Sequence, residues 1–324
     1  MNDRSKNKLK KFLTKKNINK VLLIAGSDWA NLGYLVSQAL QEIGVDAIML
    51  IKKESRNLYP NHGIIFRNIN NIKNYSENAD VIIFMHSQYV ETGVNLKNKR
   101  ILVWHSGSRF RQHSAEVNKI FNPIVDVSIC GRDVFGLGAK NEKWVGGLAD
   151  TKFLKPVYNR SSDKLIIAHY PSSAKGKGID IIEKSINDLK KEGFDDKFVF
   201  KYSSKNVSWN EQIKRVSDCD IYIENMAATK KSKKLSVFGL TALETAALGK
   251  IVVTRFLFPI EYERNFGKCN LQIANNQKEL TQKLKSLILL SNDEILKLKQ
   301  QSRDWVERCH SFEAVAVRLV RLFG

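Results

Sequence analysis

No apolar run in these 324 residues is long enough to cross a bilayer, which takes about 20 consecutive apolar residues. The chain also opens without the short apolar core of a secretory leader, so a cytoplasmic protein is expected. Cysteine is scarce. Cys130, Cys219, Cys269 and Cys309 stand far apart, with none of the paired spacings of a zinc site or a disulfide framework, and they read as reduced thiols. Acidic side chains are in deficit. Against 53 Lys and Arg there are 33 Asp and Glu, a formal net charge of +20. A field of that sign attracts polyanions or anionic lipid head groups, although mutational drift toward Lys and Asn produces the same balance with no partner.

With 43% hydrophobic residues the chain can bury a sizeable core, and its length suits two domains better than one. Residues 1–19 carry Arg4, Lys6, Lys8, Lys10, Lys11, Lys15 and Lys16 around Leu9, Phe12 and Leu13. This reads either as a basic amphipathic segment for a membrane surface or nucleic acid, or as a solvated terminus. From Lys20 onward, β-branched runs at 21–25, 47–51, 81–84, 101–103 and 125–129 alternate with helical patterns such as 32–43. That alternation predicts a doubly wound parallel sheet, with functional groups at the carboxyl ends of its strands. Gly26-Ser27-Asp28, His86 and His105-Ser106-Gly107-Ser108-Arg109 fall at such ends. Gly26 and Gly33 lack the full dinucleotide-binding spacing.

The pattern restarts after Lys155-Pro156. A strand at 165–168 leads into His169-Tyr170-Pro171-Ser172-Ser173-Ala174-Lys175-Gly176-Lys177-Gly178. Next comes a helix whose face is Ile179, Ile182, Ile186 and Leu189, ended by Gly193. A glycine-rich loop with lysines at a helix start suits a phosphate, because free backbone N–H groups and the helix dipole converge there. Strands at 198–202, 220–223 and 251–254 complete a second sheet, giving two halves of the same architecture. Between them, 237–250 reads as a turn, a short helix and a Gly249 cap. On that helix Leu240, Leu243, Ala247 and Leu248 form an apolar stripe, and Glu244 stands at its edge, where a carboxylate needs a partner. The preceding connection, 224–234, carries Lys230, Lys231, Lys233 and Lys234, which suits either an anion or open solvent. The rest is helical, with stripes at Leu280, Leu284, Ile288 and Leu289, and at Val306, Val315, Val317, Leu319 and Leu322.

The run 237–250 resembles the nucleotide-sugar motif of the large retaining glycosyltransferase family with the GT-B architecture. Phe238, Gly239, Leu240, Leu243, Glu244, Ala246 and Gly249 match in register. The family's second Glu falls on Glu244, which implies a bond to the donor's ribose hydroxyls. Its first Glu is Ser236 here, followed by Val237. Lys177-Gly178 match the Lys-Gly that holds the donor diphosphate, with Lys175 standing in for the family's preceding Arg. His105, Gly107 and Arg109 match a His-Gly-Gly turn near the donor sugar.

The resemblance implies an α/β chain of two Rossmann-like doubly wound domains facing a cleft. Residues 1–155, completed by 311–324, would hold the acceptor, and 156–310 the nucleotide-sugar. His105 and Lys177 would be catalytic. Gly26, Lys175, Lys177, Phe238, Gly239, Leu240 and Glu244 would bind the donor, and Arg109, Lys230, Lys231, Lys233 and Lys234 the acceptor or a polyanion. The implied enzyme is a metal-independent hexosyl- or pentosyltransferase with no resident cofactor, using a UDP- or GDP-linked sugar with retention. Its acceptor would be a cell-envelope glycan or lipid-linked sugar at the inner membrane face. A viral enzyme acting on hydroxymethylated pyrimidines in DNA is the alternative, and a degenerate binding module the second.

Overall fold

The computed structural model describes residues 11–16, 18–55, 58–158, 163–172, 175–230, 233–234 and 237–324. The chain divides into two units. One runs to Leu148 and takes back Phe312–Gly324, and the other is Ala149–Ser311. Among the described residues no helix is long and apolar enough to cross a membrane.

The first unit holds a seven-stranded sheet of β1 (Lys20–Ser27), β2 (Asp46–Lys53), β3 (Ile64–Ile65), β4 (Val81–Met85), β5 (Arg100–His105), β6 (Val127–Cys130) and β7 (Glu142–Lys143). Their order is β3-β2-β1-β4-β5-β6-β7, and every pairing is parallel. Residues 81–85 are buried on both faces, as a parallel sheet covered by helices requires. The fifth strand expected from the sequence begins at Val127 rather than at residue 125. Helix α1 (Leu32–Glu42) buries Leu32, Val36, Ala39 and Leu40. Helices α2 (Ile69–Asn78) and α3 (Gly107–Phe121) follow, and Phe110, Val117 and Phe121 of α3 join Ile82, Phe84 and Val103 in one core. The returning C-terminal helix, Phe312–Val320, packs against α1.

The second unit holds β8 (Leu165–His169), β9 (Phe198–Tyr202), β10 (Ile221–Ile223), β13 (Ile251–Thr254) and β14 (Gln272–Ile273) in the order β14-β13-β10-β8-β9, again parallel. The sequence predicts a doubly wound parallel sheet twice, and both sheets are of that kind, differing in the number of strands. In the first sheet β2 and β3 lie beyond β1, whereas here only β9 lies beyond β8. Ligands in such sheets bind outside the carboxyl ends of the strands where the winding reverses, between β1 and β4 in one unit and between β8 and β10 in the other. Between β10 and the next helix, β11 (Thr229–Lys230) and β12 (Lys233–Lys234) form an antiparallel pair.

Helix α4 (Ile179–Lys191) buries Ile182, Ile186 and Leu189, and α5 (Trp209–Ser217) precedes β10. Helix α6 (Leu240–Ala247) is buried more broadly than a stripe. Ala242, Leu243, Thr245, Ala246 and Ala247 are all inside, while Leu240 keeps some exposure. Gly249, at φ +71°, closes it as predicted, donating to Ala246 O at 2.9 Å while Lys250 N reaches back to Thr245 O at 3.2 Å. Helix α7 (Pro259–Phe266) follows β13. In α8 (Gln277–Ile288) Leu287 replaces the expected Leu289, which lies past the helix end and is 64% exposed. The last expected stripe is broken at Ser311. Helix α9 (Asn292–His310) stays with the second unit, and α10 (Phe312–Val320) belongs to the first.

Candidate functional site

In the second unit the winding reverses between β8 and β10, and Glu224 is the first residue beyond β10. Its side chain is 1% exposed, so its charge needs partners. Lys177 Nζ donates to Glu224 Oε1, and Thr254 Oγ1 donates to Oε2 at 3.0 Å. Lys177 itself is 30% exposed, so the ammonium stands between the buried carboxylate and solvent. Two glycines make this approach possible. At Gly178, φ +77°, a Cβ would lie 2.7 Å from Ala227 N and 2.8 Å from Met226 C, and Met226 N donates to Lys177 O at 3.0 Å. At Gly239, the N-cap of α6, a Cβ would lie 3.2 Å from Glu224 Oε1. The Lys-Gly turn and the start of α6 therefore meet at one carboxylate.

Beneath them, His169 Nδ1 donates to Ile223 O at 2.7 Å, which places the proton on that nitrogen. Burial pushes its pKa down to about 4, and the Lys177 charge adds to the effect, so the ring is neutral at physiological pH.

Five residues into α6 from its cap, about 7 Å along the axis, stands Glu244. Trp209 Nε1 donates to its Oε1 at 2.7 Å. Burial pushes the carboxyl up to about 7, and the indole bond pulls part of the way back. Phe153 lies against the same indole, with ring centroids 5.6 Å apart.

Of the residues singled out in the sequence, Lys177, Gly239, Leu240 and Glu244 gather at this edge, and Lys175 opens the 3-10 turn Lys175–Lys177 beside it. Phe238 does not present its ring there. It is half-buried and packs edge-on against Phe256, Tyr262 and Trp305 at centroid distances of 5.1, 5.8 and 5.8 Å. The backbones of Lys230, Lys233 and Lys234 form the antiparallel pair, while Lys231 and Ser236 lie outside the described residues.

Gly26, His105 and Arg109 belong to the first unit. Gln88 covers Gly26, where a Cβ would come within 2.9 Å of Gln88 Oε1, so the glycine makes room for a side chain rather than a phosphate. His105 is buried and stacked on Phe110 at 3.9 Å, its Nδ1 lies 2.9 Å from Ser87 Oγ, and burial pushes its pKa down to about 3. It is a neutral packed histidine with no face toward solvent. Arg109 is exposed and donates from Nε to Ser87 O at 3.2 Å.

Sequence reasoning missed Glu224 and Trp209, whose contacts span 47 and 35 residues. It also gave no role to His86, which the first sheet brings between Asp28 and Ser106: Nε2 lies 2.7 Å from Asp28 Oδ1 and Nδ1 2.5 Å from Ser106 Oγ. The available signal was positional. The three residues follow β1, β4 and β5, which are neighbours in the sheet.

No protein-family model and no curated protein matches the sequence. Solved structures do share the fold. Anabaena Alr3699/HepE, crystallised with UDP and glucose, aligns over 94% of this chain and 98% of its own with a TM-score of 0.60 at 11% identity. An alpha-glucosyltransferase (AGT) in complex with UDP aligns over 91% and 96% with a TM-score of 0.59, also at 11% identity. TarM reaches a TM-score of 0.54 at 16% identity over 80% of this chain, which spans 59% of TarM. At such identities the likeness speaks for architecture, and the architecture of this chain is the GT-B fold of glycosyltransferases.

Proposed function

We propose that the protein transfers a sugar from a nucleotide-sugar to an acceptor hydroxyl, with the donor held by the C-terminal unit. The observation that carries this reading is the meeting of Lys177, Glu224 and Gly239 at the reversal point of the second sheet, with Glu244 further along the same helix. A diphosphate there would share the Lys177 ammonium with Glu224 and lie at the N-terminus of α6, so charge growing on the leaving group would meet cation and dipole together. Glu244 would accept from the ribose hydroxyls, with Trp209 fixing its orientation. HepE and AGT, on the same fold, hold UDP.

The finer assignment is a hexosyl- or pentosyltransferase using a UDP- or GDP-linked sugar with retention, needing no metal because lysine and helix dipoles balance the diphosphate. The acceptor would be polyanionic or membrane-associated, a cell-envelope glycan or lipid-linked sugar. The +20 formal charge supports an anionic partner and equally favours a second reading, transfer to hydroxymethylated pyrimidine in viral DNA. Mass spectrometry after incubation with a panel of nucleotide-sugars, with and without hydroxymethylated DNA, tests both. A sugar adduct on DNA selects the second reading. Nucleoside diphosphate released without DNA adducts supports the first, and an intact panel contradicts transfer.

A further inference from the structure

Asp28, His86 and Ser106 form a carboxylate–imidazole–hydroxyl chain that donor binding leaves without a task. Asp28 is buried, and its carboxylate accepts from Gly33 N at Oδ1 and from Tyr34 N at Oδ2, both at 2.8 Å. His86 Nε2 has two neighbours, Asp28 Oδ1 at 2.7 Å and the Trp29 N–H at 3.0 Å, and we assign the ring proton to Nε2 because the charged carboxylate is the stronger partner. With Nε2 protonated, Nδ1 is the lone-pair nitrogen, and Ser106 Oγ–H donates to it at 2.5 Å. A hydroxyl on an imidazole acceptor whose other nitrogen is held by a buried carboxylate has the roles of nucleophile, base and orienting acid.

Two further observations bear on this chain. His86 and Ser87 are consecutive non-glycine residues at φ +61° and +58°, and Ala30 and Asn31, in the loop after Asp28, both stand at φ +55°. Backbone in that region is strained for such residues and persists where the surroundings enforce it, commonly at functional sites. Ser106 also precedes α3, which is kinked at His113, and makes no capping bond, its hydroxyl lying instead on His86. Trp29, 41% exposed, lies 5.4 Å from the His86 ring and offers an apolar wall.

We propose that Ser106 is a nucleophile toward carboxylic esters, and that the first unit carries an ester-hydrolysing activity of its own. Ser106 Oγ attacks the ester carbonyl as its proton passes to His86 Nδ1. The carbonyl–alkoxy bond then breaks and the alcohol leaves with that proton. Water, deprotonated by the same nitrogen, attacks the acyl-serine, and the acid leaves as Ser106 regains a proton.

A fluorophosphonate probe with peptide mapping, together with p-nitrophenyl acetate hydrolysis, tests this on the full chain. Wild type should take one probe per chain on Ser106. Ser106→Ala should lose the label and at least 100-fold of the esterase rate, with an unchanged melting temperature and unchanged UDP binding. Asp28→Asn should label at least 10-fold more slowly. A folded wild type that takes no probe, a label on another residue, or esterase activity surviving in Ser106→Ala would each overturn the proposal. So would an unreactive Ser106 whose replacement by alanine abolishes nucleotide-sugar turnover, since the chain would then serve transfer.

Discussion

Trp209 and Glu244, 35 residues apart, are joined by one hydrogen bond of 2.7 Å that is the carboxylate's partner in the folded unit. Burial holds that carboxyl at about 7 against an ordinary 4.5, so the native state binds more protons than the unfolded state between those values. Stability should therefore fall as pH rises from 4.5 to 7 and level off above it, the side chain being half-buried, so that solvent moderates the change. Glu244→Gln should remove this slope and be the more stable protein at pH 8. Urea unfolding at pH 5 and pH 8 reads it, and equal differences in the two proteins would contradict the burial argument.

Lys177 has a structural task as well as the proposed chemical one. Lys177→Ala leaves Glu224 buried without its cation, at a cost of about 3 kcal/mol, the low end for a broken buried pair because Lys177 is 30% exposed. Adding Glu224→Ala should restore much of that stability without restoring turnover. In single-variant kinetics the loss should fall on kcat more than on KM, since leaving-group charge grows toward the transition state. A double variant as active as wild type would remove Lys177 from the chemistry.

Lys299 Nζ donates to Asp220 Oδ1 at 2.6 Å with both side chains buried, and Asp220 Oδ2 accepts from Ile166 N at 2.9 Å, tying α9 to the strands of the second sheet. Lys299→Met should destabilise by about 3 kcal/mol, because it removes the buried carboxylate's cation while leaving its Ile166 N–H bond. Calorimetric unfolding that shows no loss would mean that the aspartate finds another partner.

The lysine hairpin separates the acceptor readings. If Lys230, Lys231, Lys233 and Lys234 meet nucleic-acid phosphates, replacing all four by Ser should flatten the slope of log affinity against log salt by roughly three units. A membrane-surface enzyme should instead lose about 1 kcal/mol per lysine in binding anionic vesicles and show no duplex binding. Salt titrations of both proteins against DNA and vesicles decide, and an unchanged pair of curves would leave the hairpin with neither partner.

Where local chemistry decides an element, it was legible in the sequence. Most of the β-branched runs, the Gly249 and Gly193 caps and the Lys177-Gly178 turn lie where their residues place them, and the run at 125–129 is shifted to Val127–Cys130. What escaped depends on pairings across the sheet. The identity of Glu244's partner needed α5 to dock beside α6, and the Lys177–Glu224 contact needed β8 and β10 to be neighbours. Phe238 looked like part of a binding motif because its register matched, yet its ring is taken by Phe256, Tyr262 and Trp305. The apolar period itself runs on through Ser311, so the expected boundary at 310–311 came from the family resemblance and not from the residues there.

Calorimetric titration of UDP into wild type and Glu244→Ala is the most direct test of donor binding by the second unit. Wild type should bind, and the variant should bind more weakly by about 1.5–3 kcal/mol, the range for a hydrogen bond to a charged group, with its fold intact. Equal affinities, or no binding by wild type, would contradict the assignment of that edge to a nucleotide-sugar.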